Sequence, residues 1–188
     1  IPVIHGEYGE DGRLQALLDV YNIPYIGSSY STNALCINKK QANAVAAYNW
    51  LTVPKELCIS INTKILEKDF NLSFPVIIKP NTWGSSYYTY KISDFSELTE
   101  KIDYIWEHIW DDLLIQEYIQ WDEYSISVVN EEILSPIMFV EKNNTEDFFD
   151  YESKYESDSG MRETFPDLDD WLRDDLMLAT KKTIDIFW

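Results

Sequence analysis

Hydrophobic and polar positions change period several times along the chain, and each change marks an element. Ile1-Pro-Val-Ile4 is a short apolar run that reads as a strand cut from a larger sheet. Leu14, Leu17, Leu18 and Tyr21 then recur at helical spacing, with Asp11 placed as a cap. Asn22-Ile-Pro-Tyr-Ile-Gly27 reads as a turn, a short strand and a stop. Residues 31–50 predict two helices, capped by Ser31 or Thr32 and then by Asn38. This alternation suggests an α/β layer.

Val53-Pro54 marks a linker into a second unit. Strands at 56–61 and 75–79 flank a polar segment read as helical, and 87–92 is a further strand. Asp94 opens an amphipathic helix whose apolar positions are Phe95, Leu98, Ile102, Ile105 and Ile109. Three closely spaced strand-like runs, 113–119, 123–129 and 133–140, predict antiparallel pairing. Residues 143–165 are acidic and irregular. From Asp167 onward, Leu168, Trp171, Leu172, Leu176, Ala179, Ile184 and Phe187 describe a long amphipathic helix. The expected class is α/β (α+β), with the first unit over 1–53 and the second over 54–188.

Composition narrows the function. A chain of 188 residues, 45% hydrophobic and with seven tryptophans, buries a real core and is not disordered. No apolar run approaches the roughly 20 residues of a membrane helix, and no signal-peptide pattern opens the chain, so no membrane is expected. A net charge of −18 opposes nucleic-acid duplexes and anionic lipid alike. A nucleotide remains compatible, because a ligand responds to the local field as well as to net charge. Cys36 and Cys58 fit neither a metal motif nor a disulfide framework, and read as buried thiols of a cytosolic, or cytoplasmic, protein.

The most informative stretch is Phe74-Pro-Val-Ile-Ile-Lys79-Pro80, closed by Gly84-Ser85-Ser86. Val and Ile between two prolines suit a strand covered on both faces. A lysine at the end of such a strand is costly to bury without an anion. The loop after it supplies a glycine, two hydroxyls and several backbone N–H groups, which is phosphate-binding chemistry.

Several segments then fall in one order: His5-Gly-Glu-Tyr-Gly-Glu-Asp-Gly12, Ile23-Pro-Tyr-Ile-Gly-Ser28, and Asn38-Lys39 opening a helix. Next come the Lys79 strand with Gly84-Ser85-Ser86, Leu113-Leu-Ile-Gln-Glu-Tyr-Ile119 with Glu123, and Phe148-Phe-Asp-Tyr-Glu-Ser-Lys-Tyr155. In this order and over nearly the whole chain, the sequence resembles the D-alanine–D-alanine ligases of the ATP-grasp fold. That resemblance implies an ATP-dependent carbon–nitrogen ligase that joins two D-alanines through an acyl phosphate, in peptidoglycan precursor synthesis. It also implies a partial N-terminal α/β substrate-binding layer, then a nucleotide-binding unit built on mixed or antiparallel sheet.

Phosphoryl transfer to a carboxylate needs positive charge around the triphosphate and a loop that closes over it. By resemblance, Lys79 and Lys154 contact the nucleotide, Lys39 reaches the phosphates, and Gly84, Ser85 and Ser86 cover them. Glu117, Tyr118 and Ile119 match the hinge whose backbone edge reads adenine. Glu123 matches the acid on the ribose hydroxyls, and Phe148 an aromatic against the base. His5 matches a substrate-pocket histidine. Tyr155 stands where a tyrosine hydrogen-bonds Ser85 and orients substrate, favouring an amine acceptor.

The pattern also departs from the family. Gln116 replaces a usual glutamate, Trp121 a usual glycine, and Tyr88 a glycine whose backbone freedom tyrosine lacks. An N-terminal strand and helix carrying a substrate-binding glutamate are not found. The Arg-x-Asp strand and Glu-x-Asn motif that hold Mg²⁺ are expected beyond Trp188, so the sequence offers no metal ligands and reads as a partial chain. Asp185 falls inside a helical pattern rather than at the metal position. A homodimer is implied by resemblance. Two other readings stand beside the ligase of D-alanine: a non-catalytic nucleotide-binding or interaction module of this fold, and an ATP-grasp ligase for other amino acids.

Overall fold

The computed structural model describes residues 4–120, 123–129, 132–134, 138–141 and 162–188. The opening strand lies outside them except for Ile4, which is exposed. Three helices come first: α1 (Arg13–Val20), α2 (Tyr30–Ile37) and α3 (Lys39–Tyr48). Behind Gly12, whose φ is +88°, the chain enters α1 so tightly that a Cβ there would meet the Tyr30 carbonyl oxygen at 2.2 Å. Asp11, the expected cap, stands one residue earlier than the cap position and still accepts the Arg13 N–H at 3.0 Å. Ser29, rather than Ser31 or Thr32, caps α2 by accepting the Thr32 N–H at 3.2 Å. Asn38 caps α3 as expected, accepting the Gln41 N–H at 3.0 Å.

Three expectations for this region are corrected. Residues 22–27 contain no strand; Ile23 and Ile26 are exposed, and among the described residues no neighbour offers a ladder of hydrogen bonds. Leu17 and Tyr21 face outward, and the buried residue of α1 is Gln15, which holds the preceding turn through the Gly9 carbonyl at 3.0 Å. Cys36 is exposed and Cys58 half-buried, so neither is a core thiol.

The second unit is organised by a four-stranded sheet of β1 (Glu56–Ile59), β2 (Val76–Pro80), β3 (Tyr90–Ile92) and β4 (Leu113–Glu117). Its order is β1-β4-β2-β3 with every neighbouring pair antiparallel. The polar stretch between β1 and β2 makes one 3₁₀ turn at Glu67–Asp69 instead of a helix. It is too short between its turn residues to repay helix nucleation. Phe70 and Leu72 nevertheless pack under the sheet.

Helix α4 (Phe95–His108) crosses one face of the sheet. Asp94 accepts the Glu97 N–H at 2.9 Å while Glu97 accepts the Ser93 N–H at 2.7 Å, closing its first turn from both sides. Val76, Ile78, Ile92, Leu98, Ile105, Leu113 and Ile115 are completely buried between helix and sheet. Each contributes roughly 1.5–3 kcal/mol relative to exposure.

Because side chains alternate along a strand, Ile77, Lys79, Leu114, Gln116 and Glu56 project from the opposite face. Helix α3 meets that face, with Asn43 donating to Glu56 at 2.6 Å and Gln116 donating to the same oxygen at 2.9 Å. Lys79 is therefore turned away from the core and toward α3.

The remaining described strands are short. β5 (Glu123–Ser125), β8 (Met138–Glu141) and β9 (Arg162–Thr164) form an antiparallel sheet in the order β5-β8-β9. β6 (Val128–Val129) pairs with β7 (Glu132–Ile133). The expected antiparallel pairing thus holds, except that β4 joins the first sheet. Helix α5 (Asp170–Phe187) follows, and the Thr32 hydroxyl at the start of α2 donates to its Phe187 carbonyl at 2.8 Å. No described helix is long and apolar enough to cross a membrane.

Candidate functional site

The site is built where β2 ends. Lys79 is the fourth residue of that strand, half-buried on the face turned to α3. Two residues on, Asn81 is only 4% exposed. Its N–H donates to the Asp112 carbonyl at 2.8 Å, and its side-chain oxygen accepts the Lys40 N–H at 3.0 Å. Its carbonyl accepts the Lys39 N–H at 3.1 Å and the Lys39 Nζ at 3.2 Å. Lys39 Nζ also donates to the carbonyl of Trp83. The first turn of α3 is thereby fixed to the loop after β2.

This placement sets two ammonium groups near one another. Burial, and next the charge of Lys79, lower the Lys39 pKa to about 8, against an opposing pull from Asp111. Asp111 is itself engaged, accepting from the Thr82 N–H at 2.7 Å and the Thr82 hydroxyl at 3.0 Å. Lys39, held by neutral carbonyl oxygens, is an ammonium that an approaching anion stabilises.

The loop that follows carries backbone conformations that side chains normally avoid. Ser85, Ser86 and Tyr88 have φ of +55°, +57° and +54°. Left-handed geometry costs a non-glycine residue roughly 1–2 kcal/mol, and such residues cluster at functional sites. Tyr88 holds the glycine-like conformation despite its side chain. Its ring packs at the edge of the core and lies 6.0 Å from Trp83, 6.5 Å from Tyr104 and 6.0 Å from His108, centroid to centroid. Ring packing against α4 offsets the backbone cost.

The His5 turn lies against the same loop. A Cβ on Gly84 would stand 3.5 Å from Glu10 Oε2. That carboxylate accepts the Gly6 N–H at 2.8 Å, and its other oxygen lies 3.4 Å from His5 Nδ1. Asp11 holds the turn from within by accepting the Tyr8 N–H at 2.9 Å. Burial pushes the Asp11 carboxyl up, but the Tyr8 and Arg13 N–H groups and the Arg13 guanidinium outweigh it and leave it below the usual value. His5, Gly9, Glu10, Asn33, Cys36 and Ile37 line an open cleft of about 420 Å³.

The structure therefore gathers His5, Lys39, Lys79 and the Ser85–Ser86 loop into one region. The expected hinge residues lie at the other end of β4. Glu117 accepts the Lys55 N–H at 2.8 Å, the Tyr118 N–H donates to Pro75 at 3.2 Å, and Ile119 is half exposed. Lys91 sits 4.1 Å from the centre of the Tyr118 ring. Glu123 opens β5 opposite Val140. Phe148, Lys154 and Tyr155 lie outside the described residues. Glu10, Asn81 and Asp111 are what sequence reading missed. An asparagine after Lys-Pro reads as a turn residue, and only the fold shows that it is buried. Among the described residues, no three His, Cys, Asp or Glu side chains converge as metal ligands.

Known proteins resemble this chain in sequence and in fold. A family model of the D-ala D-ala ligase C-terminus matches residues 39–186, and one of the D-ala D-ala ligase N-terminus matches residues 1–28. The D-alanine–D-alanine ligase of Buchnera aphidicola subsp. Schizaphis graminum is 33% identical over 159 residues, which is 81% of this chain and 51% of that one. The D-alanine–D-alanine ligase A of Bacillus cereus is 32% identical over 165 residues, 85% of this chain and 52% of that one. A crystal structure of the Bacillus anthracis D-alanine–D-alanine ligase superposes with a TM-score of 0.84 at 27% identity, covering 98% of this chain and 59% of that one. The same ligase complexed with ATP gives 0.81 at 26% identity, over 98% and 58%. The chain spans about half the length of the curated relatives it matches. Its helices and antiparallel sheets follow the ATP-grasp architecture of these neighbours. A chain matched by that C-terminal model over most of its length, and folded as those ligases are, belongs to the D-alanine–D-alanine ligase family.

Proposed function

We propose that this protein is an ATP-dependent ligase that joins two D-alanines into D-alanyl-D-alanine. The observation that carries the reading is the Lys39–Lys79 pair beside the Gly84 loop and the His5 turn. Lysines set beside a loop rich in backbone N–H groups suit a polyphosphate, whose negative charge favours the charged form of Lys39. In this reading, the carboxylate of the first D-alanine attacks the terminal phosphorus of ATP, and ADP leaves. The amine of the second D-alanine then attacks the acyl phosphate carbonyl. Phosphate departs carrying the carboxylate oxygen that had attacked phosphorus, the amine loses a proton, and the amide forms.

Each residue takes a place in this scheme. Lys39 and Lys79, with Lys154, stabilise charge on the transferring phosphoryl group, and the Ser86 end of the loop covers it. Glu117, Tyr118 and Ile119 take the adenine by their backbone, Glu123 the ribose and Phe148 the base. Register supports the span: Glu117 lies three residues along β4 from the partner of Lys79, about 10 Å at the rise of a strand. His5, held by Glu10, and the Ser85–Tyr155 pair orient substrate in and beside the cleft. Residues 1–53 form the substrate-binding part and 54–188 the nucleotide-binding part; the sheet's beginning at Glu56 supports that division. Mg²⁺ would screen the phosphate charges when bound, and no residue described here is assigned to it. The product is a peptidoglycan precursor, made in the cytoplasm, and a homodimer completes the proposal.

Phosphate release from Mg-ATP by the full-length gene product tests it, with D-alanine or L-alanine as substrate and Lys79→Ala as control. Release that requires D-alanine and is lost in the variant is the expected result. Release with another amino acid would reassign the substrate. ATP binding without release under any amino acid would leave a nucleotide-binding module.

A further inference from the structure

Asn81 is a buried residue whose side chain makes one described hydrogen bond, to the first turn of α3, and whose backbone makes three more. Its amide oxygen takes the Lys40 N–H, its carbonyl takes both the backbone N–H and the Nζ of Lys39, and its N–H ties the loop to Asp112. Asn38 meets the same helix end from the other side through the Gln41 N–H. A helix start leaves its first N–H groups without intrahelical acceptors, so whatever accepts them decides where the helix sits. Here one acceptor is local, and the other belongs to the residue directly after the strand that carries Lys79. Asn81 is thus the joint between the two lysine-bearing elements.

We propose that Asn81 is a positioning residue for the nucleotide: it holds the first turn of α3 on the end of β2 and so sets Lys39 beside Lys79. This rests on the ligase reading above for the identity of the ligand, but not for the joint itself. Asn81 touches no phosphate in this scheme and acts through Lys39. A buried amide with paired partners is costly to replace by an apolar group, because the Lys40 N–H loses its acceptor inside the protein. The consequence falls on the helix end, and the ammonium moves with it.

The test is a double-variant cycle on the full-length protein with ATP as the probe. Asn81→Leu is expected to raise the ATP Kd by about tenfold, the size that losing one buried hydrogen-bond acceptor implies. The KM for D-alanine stays unchanged. In a Lys39→Ala background the same substitution is expected to change the ATP Kd by less than about twofold, because coupled residues are not additive. Equal effects in both backgrounds would overturn the proposal, since Asn81 would then act on general folding rather than through Lys39. Asn81→Ala serves the same cycle if the leucine does not fold.

A ligand-free readout separates this inference from the functional one. The titration of Lys39, followed through an isotopic label on its ε-carbon, faces Lys79 from β2 and Asp111 from the loop before β4. Asn81→Leu is expected to move its midpoint up toward the ordinary lysine value as the loosened helix end returns the ammonium to water and takes it away from Lys79. An unmoved midpoint would overturn the joint. If the wild type binds no ATP while the midpoint moves, the joint stands and the ligase reading falls.

Discussion

Lys39 is where one residue's environment has a measurable consequence. With its pKa lowered to about 8 by burial and by Lys79, the free protein holds this ammonium charged at neutral pH and loses it in mild alkali. A bound polyphosphate favours the charged form and draws the pKa back up. ATP affinity is therefore expected to fall as pH rises above about 8 and to go on falling until the raised pKa of the bound state is passed, with proton uptake on binding greatest between those two values. Calorimetry in buffers of different ionisation heat measures that uptake. An affinity flat across the range would take Lys39 off the phosphates. The sign for the empty fold is opposite. A lysine whose folded pKa lies below its unfolded value destabilises the fold while charged, so that penalty is relieved as pH rises from about 8 toward 10.5. Lys39 and Lys79 were legible in the sequence because each stands in a motif with its own local logic. Asn81 and Glu10 were not, because their importance lies in partners far along the chain or across a turn.

Among the elements, α4 was legible almost residue for residue. Its periodicity is local, Asp94 caps it, and Leu98, Ile102, Ile105 and Ile109 are all buried as their spacing requires. The supposed strand at 23–26 failed for the converse reason, since a strand depends on neighbours that a sequence window does not contain. Helix α4 also carries part of the candidate site by anchoring the loop over 84–88 through Tyr88. Replacing Tyr88 by glycine relieves backbone strain of roughly 1–2 kcal/mol. It also removes a packed ring worth somewhat more, about 1.5–3 kcal/mol. Tyr88→Gly is thus expected to lower Tm by only a few degrees, about 1 kcal/mol net. Amide hydrogen exchange across 83–89 is expected to rise well beyond that global change. Unchanged exchange in that segment would show that the ring does not restrain the loop.

At the scale of the whole molecule, the site is a small positive patch on a protein of net charge −18. The two charges act at different ranges. Lys39 and Lys79 act at contact distance, where salt screens them little, whereas the overall field acts over tens of ångströms. On the proposed reading, an anionic nucleotide is repelled on approach and held on arrival. Raising ionic strength from about 0.01 M to about 0.15 M is expected to speed ATP association, the reverse of what a basic protein shows. Stopped-flow binding measures it, and a rate that falls with salt would mean that a local positive field reaches well beyond the loop.

The strand order also sets a sequence of assembly. β4 lies between β1 and β2, yet it is the last of the four to leave the ribosome, and its Gln116 pairs with Glu56 from far earlier in the chain. Until Leu113–Glu117 emerges, β2, β3 and α4 can form a local unit, but β1 has no neighbour to pair with. The bond from Asn81 to Asp112 closes at the same moment. The lysine pair is consequently a late product of synthesis, set in place only when the central strand of its sheet has arrived.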